Sequence, residues 1–179
     1  LENIPPASFM TIRKSGDLKR LKKANAADAL VLENAFARYE FNKSGELVSA
    51  FDKLSGKSVL EEGQKGNVLS LYEDRPLEYD AWDVDLYYEE QFLENASGIS
   101  FERIADGPVR QGIRFELKIG KSKINQEVYL DNSSARLDFN TSALWLESHH
   151  MLRTAFPISI HTNAASFDIQ YGFVRRGTH

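Results

Sequence analysis

The sequence predicts an all-β chain, an antiparallel β-sandwich, from three observations. Apolar residues recur at every second position: Ile99, Phe101 and Arg103 alternate with Ser100 and Glu102, and Ile113, Phe115, Leu117 and Ile119 with Arg114, Glu116 and Lys118. The same pattern runs through Phe167, Ile169, Tyr171 and Phe173, which alternate with Asp168, Gln170 and Gly172. Successive side chains on a strand point to opposite faces, so each segment has one apolar face and one polar face. Turn chemistry separates the segments, at Gly107-Pro108, Gly120-Lys121-Ser122 and Asp131-Asn132-Ser133-Ser134. No amphipathic helix exceeds about three turns. Half-apolar strands bury those faces by stacking antiparallel sheets on one another.

The elements follow in order. Residues 1–28 are expected to form a proline-fixed leading strand, Ile4-Pro5-Pro6-Ala7-Ser8-Phe9-Met10-Thr11-Ile12, and a basic linker with Arg13, Lys14, Lys19, Arg20, Lys22 and Lys23. That basic run holds no aromatic residue, so a solvated linker fits it better than a polyanion patch. Residues 29–179 are expected to form the sandwich. Phe36–Phe41 and Glu46–Phe51 read as a hairpin around Asn42-Lys43-Ser44-Gly45, with a second turn at 52–57. Val68–Tyr72 is a strand that enters an acidic stretch. Val128 with Leu130, Leu137 with Phe139, Leu144 with Leu146 and Ile158 with Ile160 supply four more short strands. The chain starts at Leu1 and stops directly after a patterned segment, so it is expected to be an excised piece of a larger protein.

Composition narrows the function. A 42% hydrophobic and 27% charged chain is globular, and a net charge of -4 offers no attraction for a phosphate backbone, so no nucleic-acid partner is expected. No apolar run approaches the roughly 20 residues of a membrane helix. Zero cysteines exclude disulfides and thiolate metal sites and agree with a reducing compartment.

The stretch from Tyr72 to Glu90 crowds Asp74, Glu78, Asp80, Asp83, Asp85, Glu89 and Glu90 among Trp82 and four tyrosines. Such a composition is costly in a core strand, so a polar encounter is expected there. It is not a calcium loop of the EF-hand kind: Asp83, Asp85 and Glu94 match positions, but Tyr88 stands where the glycine belongs and no helices flank it. Carboxylates two apart on a strand would lie within the spacing of a glycosidase pair. Equally, they cap turns or pair with Arg75. An indole face flanked by carboxylates suits a pyranose, whose C–H bonds stack while its hydroxyls donate. The neighbours His149 and His150 point apart if extended and cannot share a metal. A Gly-rich phosphate loop and a Gly-x-Ser-x-Gly elbow are both missing from the sequence.

Several long segments together resemble one family. Leu30-Val31-Leu32-Glu33-Asn34 with Phe36–Phe41, Gly45–Lys53, Gly66–Tyr72 and Glu73-Asp74-Arg75-Pro76-Leu77-Glu78-Tyr79-Asp80-Ala81-Trp82-Asp83-Val84-Asp85 carry the resemblance, joined by Trp145–Pro157 and Phe167–His179. They are similar to the β-rich C-terminal half of the α-mannosidases of glycoside hydrolase family 38, in the bacterial, cytoplasmic and vacuolar branch. The resemblance implies a galactose-mutarotase-like supersandwich, with further strands past Thr178-His179. It implies a hydrolase that cleaves terminal α-mannosidic bonds with retention, using zinc and an aspartate nucleophile. Those catalytic and metal roles belong to an N-terminal domain upstream, so no catalytic or metal-binding residue is expected here. The expected partners are that domain and a mannose-containing glycan, with self-association left open, and the expected location is cytoplasmic. Arg75, Asp80, Trp82 and Asp83 are the expected substrate contacts, on the composition of the acidic stretch. The competing reading is a stand-alone carbohydrate-binding or scaffolding sandwich.

Overall fold

A computed structural model describes residues 28–80 and 82–178. The expected leading strand and basic run fall outside the described residues. After a 3-10 turn at Asp28–Leu30, four strands β1 (Val31–Glu33), β2 (Ala37–Phe41), β3 (Leu47–Asp52) and β4 (Lys57–Ser58) pair antiparallel in sequence order. The Asn42 carboxamide oxygen turns β2 into β3 by accepting from the backbone N–H of Ser44 and of Glu46, at 2.9 and 3.1 Å. Gly45 completes the turn at a φ of 73°, in the left-handed region.

Next come β5 (Val68–Glu73), β6 (Phe92–Asn95), β7 (Ser97–Asp106), β8 (Arg110–Ile119), β9 (Ser122–Asp131), β10 (Leu137–Leu144) and β11 (His150–Ala155). The hairpin β12 (Ala164–Ile169) and β13 (Gly172–Gly177) follows. Strands β7 to β10 form an antiparallel meander, β5 sits between β11 and β6, and among the described residues β12 pairs with β13 alone. Among the described residues the chain is all-β, with helical geometry confined to two 3-10 turns.

The core follows from the alternation. Ile113, Phe115, Leu117 and Ile119 of β8 and Ile124, Val128 and Leu130 of β9 turn one face inward. That face shares one cluster with Leu32, Phe41 and Leu47 of the first sheet and Leu69 and Leu71 of β5. The layers make the expected β-sandwich. Phe115 lies at its centre, its ring 5.7 Å from that of Phe41 and close over Gly45.

Several details differ from the sequence pattern. Register shifts between Gly98 and Ser100 set Ile99 on a bulge, where it is exposed instead of sharing the inner face with Phe101. The apparent strand through Phe167 and Phe173 is two strands, turned at Gln170-Tyr171 with Tyr171 at a φ of 64°. The alternation continues on both sides of that turn, and neither residue is a common turn former. Leu144 ends β10 with no strand through Leu146, and Ile158 makes only an isolated bridge to Leu60. Strand β11 lies in a segment whose polar residues hide its period. It is held by six pairings with β5, from His150 opposite Glu73 to Ala155 opposite Val68.

Candidate functional site

The acidic stretch leaves the sheet at the end of β5 and returns through a 3-10 turn at Tyr88–Gln91 into β6. Between these points it is a loop. The spacing argued for carboxylates on a strand therefore does not apply. Pro76 has no N–H to give a ladder, and the crowded carboxylates favour local turns over pairing.

Both roots of the loop are tied down. At the first, the Asp74 N–H donates to the His149 carbonyl at 2.8 Å, with His149 held at a φ of 55°, and Arg75 pairs with Glu73. At the second, the Asp85 carboxylate accepts from the Tyr87 N–H at 2.9 Å, and the Tyr88 ring meets Tyr72 edge-on at 5.6 Å. Between the roots, the Trp82 and Asp83 N–H groups donate to the Tyr79 carbonyl at 3.3 and 3.1 Å. These bonds close a turn that pushes the indole outward. Of the loop's carboxylates, that of Asp85 forms a turn.

What the loop presents is apolar as well as acidic. Leu77, Trp82 and Leu86 are 96%, 85% and 82% exposed, and Tyr79, Val84 and Tyr87 are largely exposed. A depression of about 440 Å³ is lined by Glu78, Tyr79, Asp80 and Trp82. A second, of about 200 Å³, is lined by Glu73, Arg75, Asp85, Tyr87, Tyr88 and Gln91. Of the four expected contacts, Asp80 and Trp82 share the first depression and Arg75 lies in the second. Asp83 is exposed and lines neither. One carboxylate oxygen of Asp74, Oδ1, is buried without a hydrogen-bond partner. The tyrosines at 79, 87 and 88 line these depressions without having been singled out, although their number in the stretch was the available signal.

Chemically, the first depression offers two aromatic faces beside two carboxylates, a set that stacks on C–H surfaces and accepts from hydroxyls. Metal binding is another matter. No group of three or more His, Asp or Glu side chains placed to hold a metal occurs among the described residues. The His150 ring nitrogen Nδ1 instead sits 2.5 Å from the Ser148 carbonyl.

A family model described as the glycosyl hydrolases family 38 C-terminal domain matches residues 32–179. Alpha-mannosidase 2C1 of Homo sapiens is 33% identical over 98% of this chain and 17% of its own length. Alpha-mannosidase G of Dictyostelium discoideum is 29% identical over 99% of the chain and 18% of its own length. An alpha-mannosidase of Saccharomyces cerevisiae is 25% identical over 85% of the chain. The chain spans less than a fifth of the length of these relatives.

Proposed function

Since the chain belongs to the glycosyl hydrolase family 38 C-terminal domains, we propose that it is the non-catalytic sandwich of a retaining α-mannosidase acting on terminal α-mannosidic bonds of a glycan. It packs against a catalytic domain and lends that domain's cleft the loop of residues 74–91. One observation carries this reading: an almost fully exposed indole, with Tyr79 beside it, sits in a depression flanked by the carboxylates of Glu78 and Asp80. Exposed aromatic surface of that size gains from a partner, and the flanking acceptors suit hydroxyls.

We assign the zinc of the whole enzyme to its catalytic domain rather than to the side chains of this sandwich. No reaction step passes through them. Their part is to orient a sugar and to keep water from the cleft. The longer relatives favour the enzyme over a stand-alone carbohydrate-binding module. The resemblance to the bacterial, cytoplasmic and vacuolar branch supports a cytoplasmic enzyme, testable by cell fractionation; no helix in the described residues is long and apolar enough to cross a membrane.

The decisive test uses Trp82→Ala and Asp80→Ala, the two expected contacts that share the first depression, in the full-length enzyme with an aryl α-mannoside. Losing one stacking or hydroxyl contact lowers kcat/KM by about ten-fold. Unchanged values in both variants would make the loop purely structural.

A further inference from the structure

The second root of the loop is held by a contact from another strand. Arg153 on β11 lies opposite Ser70 of β5, diagonal to Tyr72 on the same face of the sheet. Its guanidinium carbon stands 4.6 Å from the centre of the Tyr88 ring. The other side of the contact is aromatic: Tyr88 meets Tyr72 at 5.6 Å and 74°, and Tyr72 meets Phe92 at 5.7 Å and 71°. Arg153 has no ion pair with a described residue, so its contact to the loop is to a ring face. Tyr88 also walls the second depression beside Arg75.

The loop between the roots has little else to fix it. Its internal bonds join Tyr79 to Trp82 and Asp83, and Asp85 to Tyr87 and Tyr88, without reaching the sheet. The direction in which the indole points therefore depends on where the roots are held.

Resting on the substrate-facing reading above, we infer that Arg153 and Tyr88 are positioning residues for the mannosidase cleft: the stacked pair clamps the loop to β5 and β11 and sets the placement of Asp80 and Trp82. Neither residue touches the reacting bond. Their loss misplaces a binding surface and leaves the chemistry of the bound sugar alone, so the effect belongs on KM.

The test measures kcat, KM and denaturant midpoint for the full-length enzyme on an aryl α-mannoside. The variants are Arg153→Ala, Tyr88→Leu, Tyr88→Phe and Trp82→Ala. Arg153→Ala and Tyr88→Leu each raise KM by about three- to ten-fold, with kcat within about two-fold and the midpoint little moved. Tyr88→Phe keeps the ring face and loses only its hydroxyl bond to Glu89, so its KM stays close to the parent's. Should Arg153→Ala fail to fold, Tyr88→Leu against Tyr88→Phe gives the same comparison. A raised KM in Trp82→Ala with none in Arg153→Ala or Tyr88→Leu overturns the clamp and leaves the loop reading standing. An unmoved KM in all of them overturns both. A fall in kcat together with the midpoint, at constant KM, also overturns the clamp, because it marks a general loss of structure.

Discussion

At Gly98 the bulge brings the start of β7 against the β2–β3 turn, and a Cβ there would stand 2.1 Å from the Lys43 carbonyl oxygen. At Gly112 an added Cβ would meet the Tyr129 ring at 2.7 Å, a side chain already held under the Arg110 guanidinium and bonded to Glu127. A ring can swing aside more readily than a backbone carbonyl. Gly98→Ala should therefore destabilise more than Gly112→Ala, which should cost about 1–3 kcal/mol. Urea midpoints in the full-length protein rank the two, and a reversed order would contradict the close approach at Gly98. Glu147 makes a second prediction at this scale. Its carboxylate accepts from the Lys121 N–H at 2.5 Å and the Ser122 hydroxyl at 3.0 Å, gripping the β8–β9 turn. The Lys121 amide bond, followed by the Ser122 bond and the nearby charges of His150 and Lys121, holds its pKa below the ordinary glutamate value. A depressed folded pKa stabilises above the unfolded value of about 4.3, and the gain disappears as pH falls through the folded one. The denaturant midpoint of the parent should exceed that of Glu147→Gln at a pH of about 6, and the gap should close towards a pH of about 3. A gap independent of pH would show that the charge contributes nothing.

Between elements, one buried polar network ties three sheets. Asn67, just ahead of β5 and at a φ of 54°, donates through its carboxamide to the Gly45 carbonyl at 2.8 Å and to Gln126 on β9 at 2.6 Å. Gln126 in turn donates to the Thr141 hydroxyl on β10 at 3.0 Å. Gln126 is almost wholly buried, so Gln126→Met keeps its volume and orphans part of Asn67. It should cost about 1–3 kcal/mol in denaturant unfolding. Asn67→Ala combined with it should cost less than the two singles summed, because both delete one network. Strict additivity would mean that the two side chains act separately. This element also shows what was legible beforehand. Strands β8 and β9 could be located because Ile113 to Ile119 and Val128 to Leu130 alternate, and Gln126 is in phase with Val128 and Leu130 on the inward face, but the partners that satisfy a buried carboxamide there, Asn67 and Thr141, are distant in sequence and no local pattern reveals them. Strand β11 was invisible because His150, Arg153 and Thr154 carry no apolar period, and pairing with β5 holds it instead. Composition singled out the loop, and of its four expected contacts Asp80, Trp82 and Arg75 line depressions while Asp83 lines neither. Its clamp was not legible, because Arg153 lies 65 positions beyond Tyr88 and no local pattern links them.

At the scale of the molecule, two of the exposed apolar surfaces among the described residues call for different occupants. One is the loop with Leu77, Tyr79 and Trp82. The other is the β12–β13 hairpin, where Phe167, Ile169, Tyr171 and Phe173 are half or more exposed on a sheet of only two strands. A lone hairpin is marginal in water, and its outer edges leave backbone donors and acceptors unpaired. On the proposed reading the hairpin meets polypeptide of the same enzyme, which is always present, whereas Trp82 meets a sugar, which comes and goes. Hydroxyl-radical footprinting of the full-length enzyme separates them. Phe167 and Phe173 should be protected with or without ligand. Trp82 should react freely in the absence of ligand and lose most of that reactivity under a saturating non-hydrolysable mannoside. Constant protection of Trp82 would make the loop a domain-docking surface and remove its role in holding substrate, and free reaction at both surfaces would deny the sandwich any packing partner there.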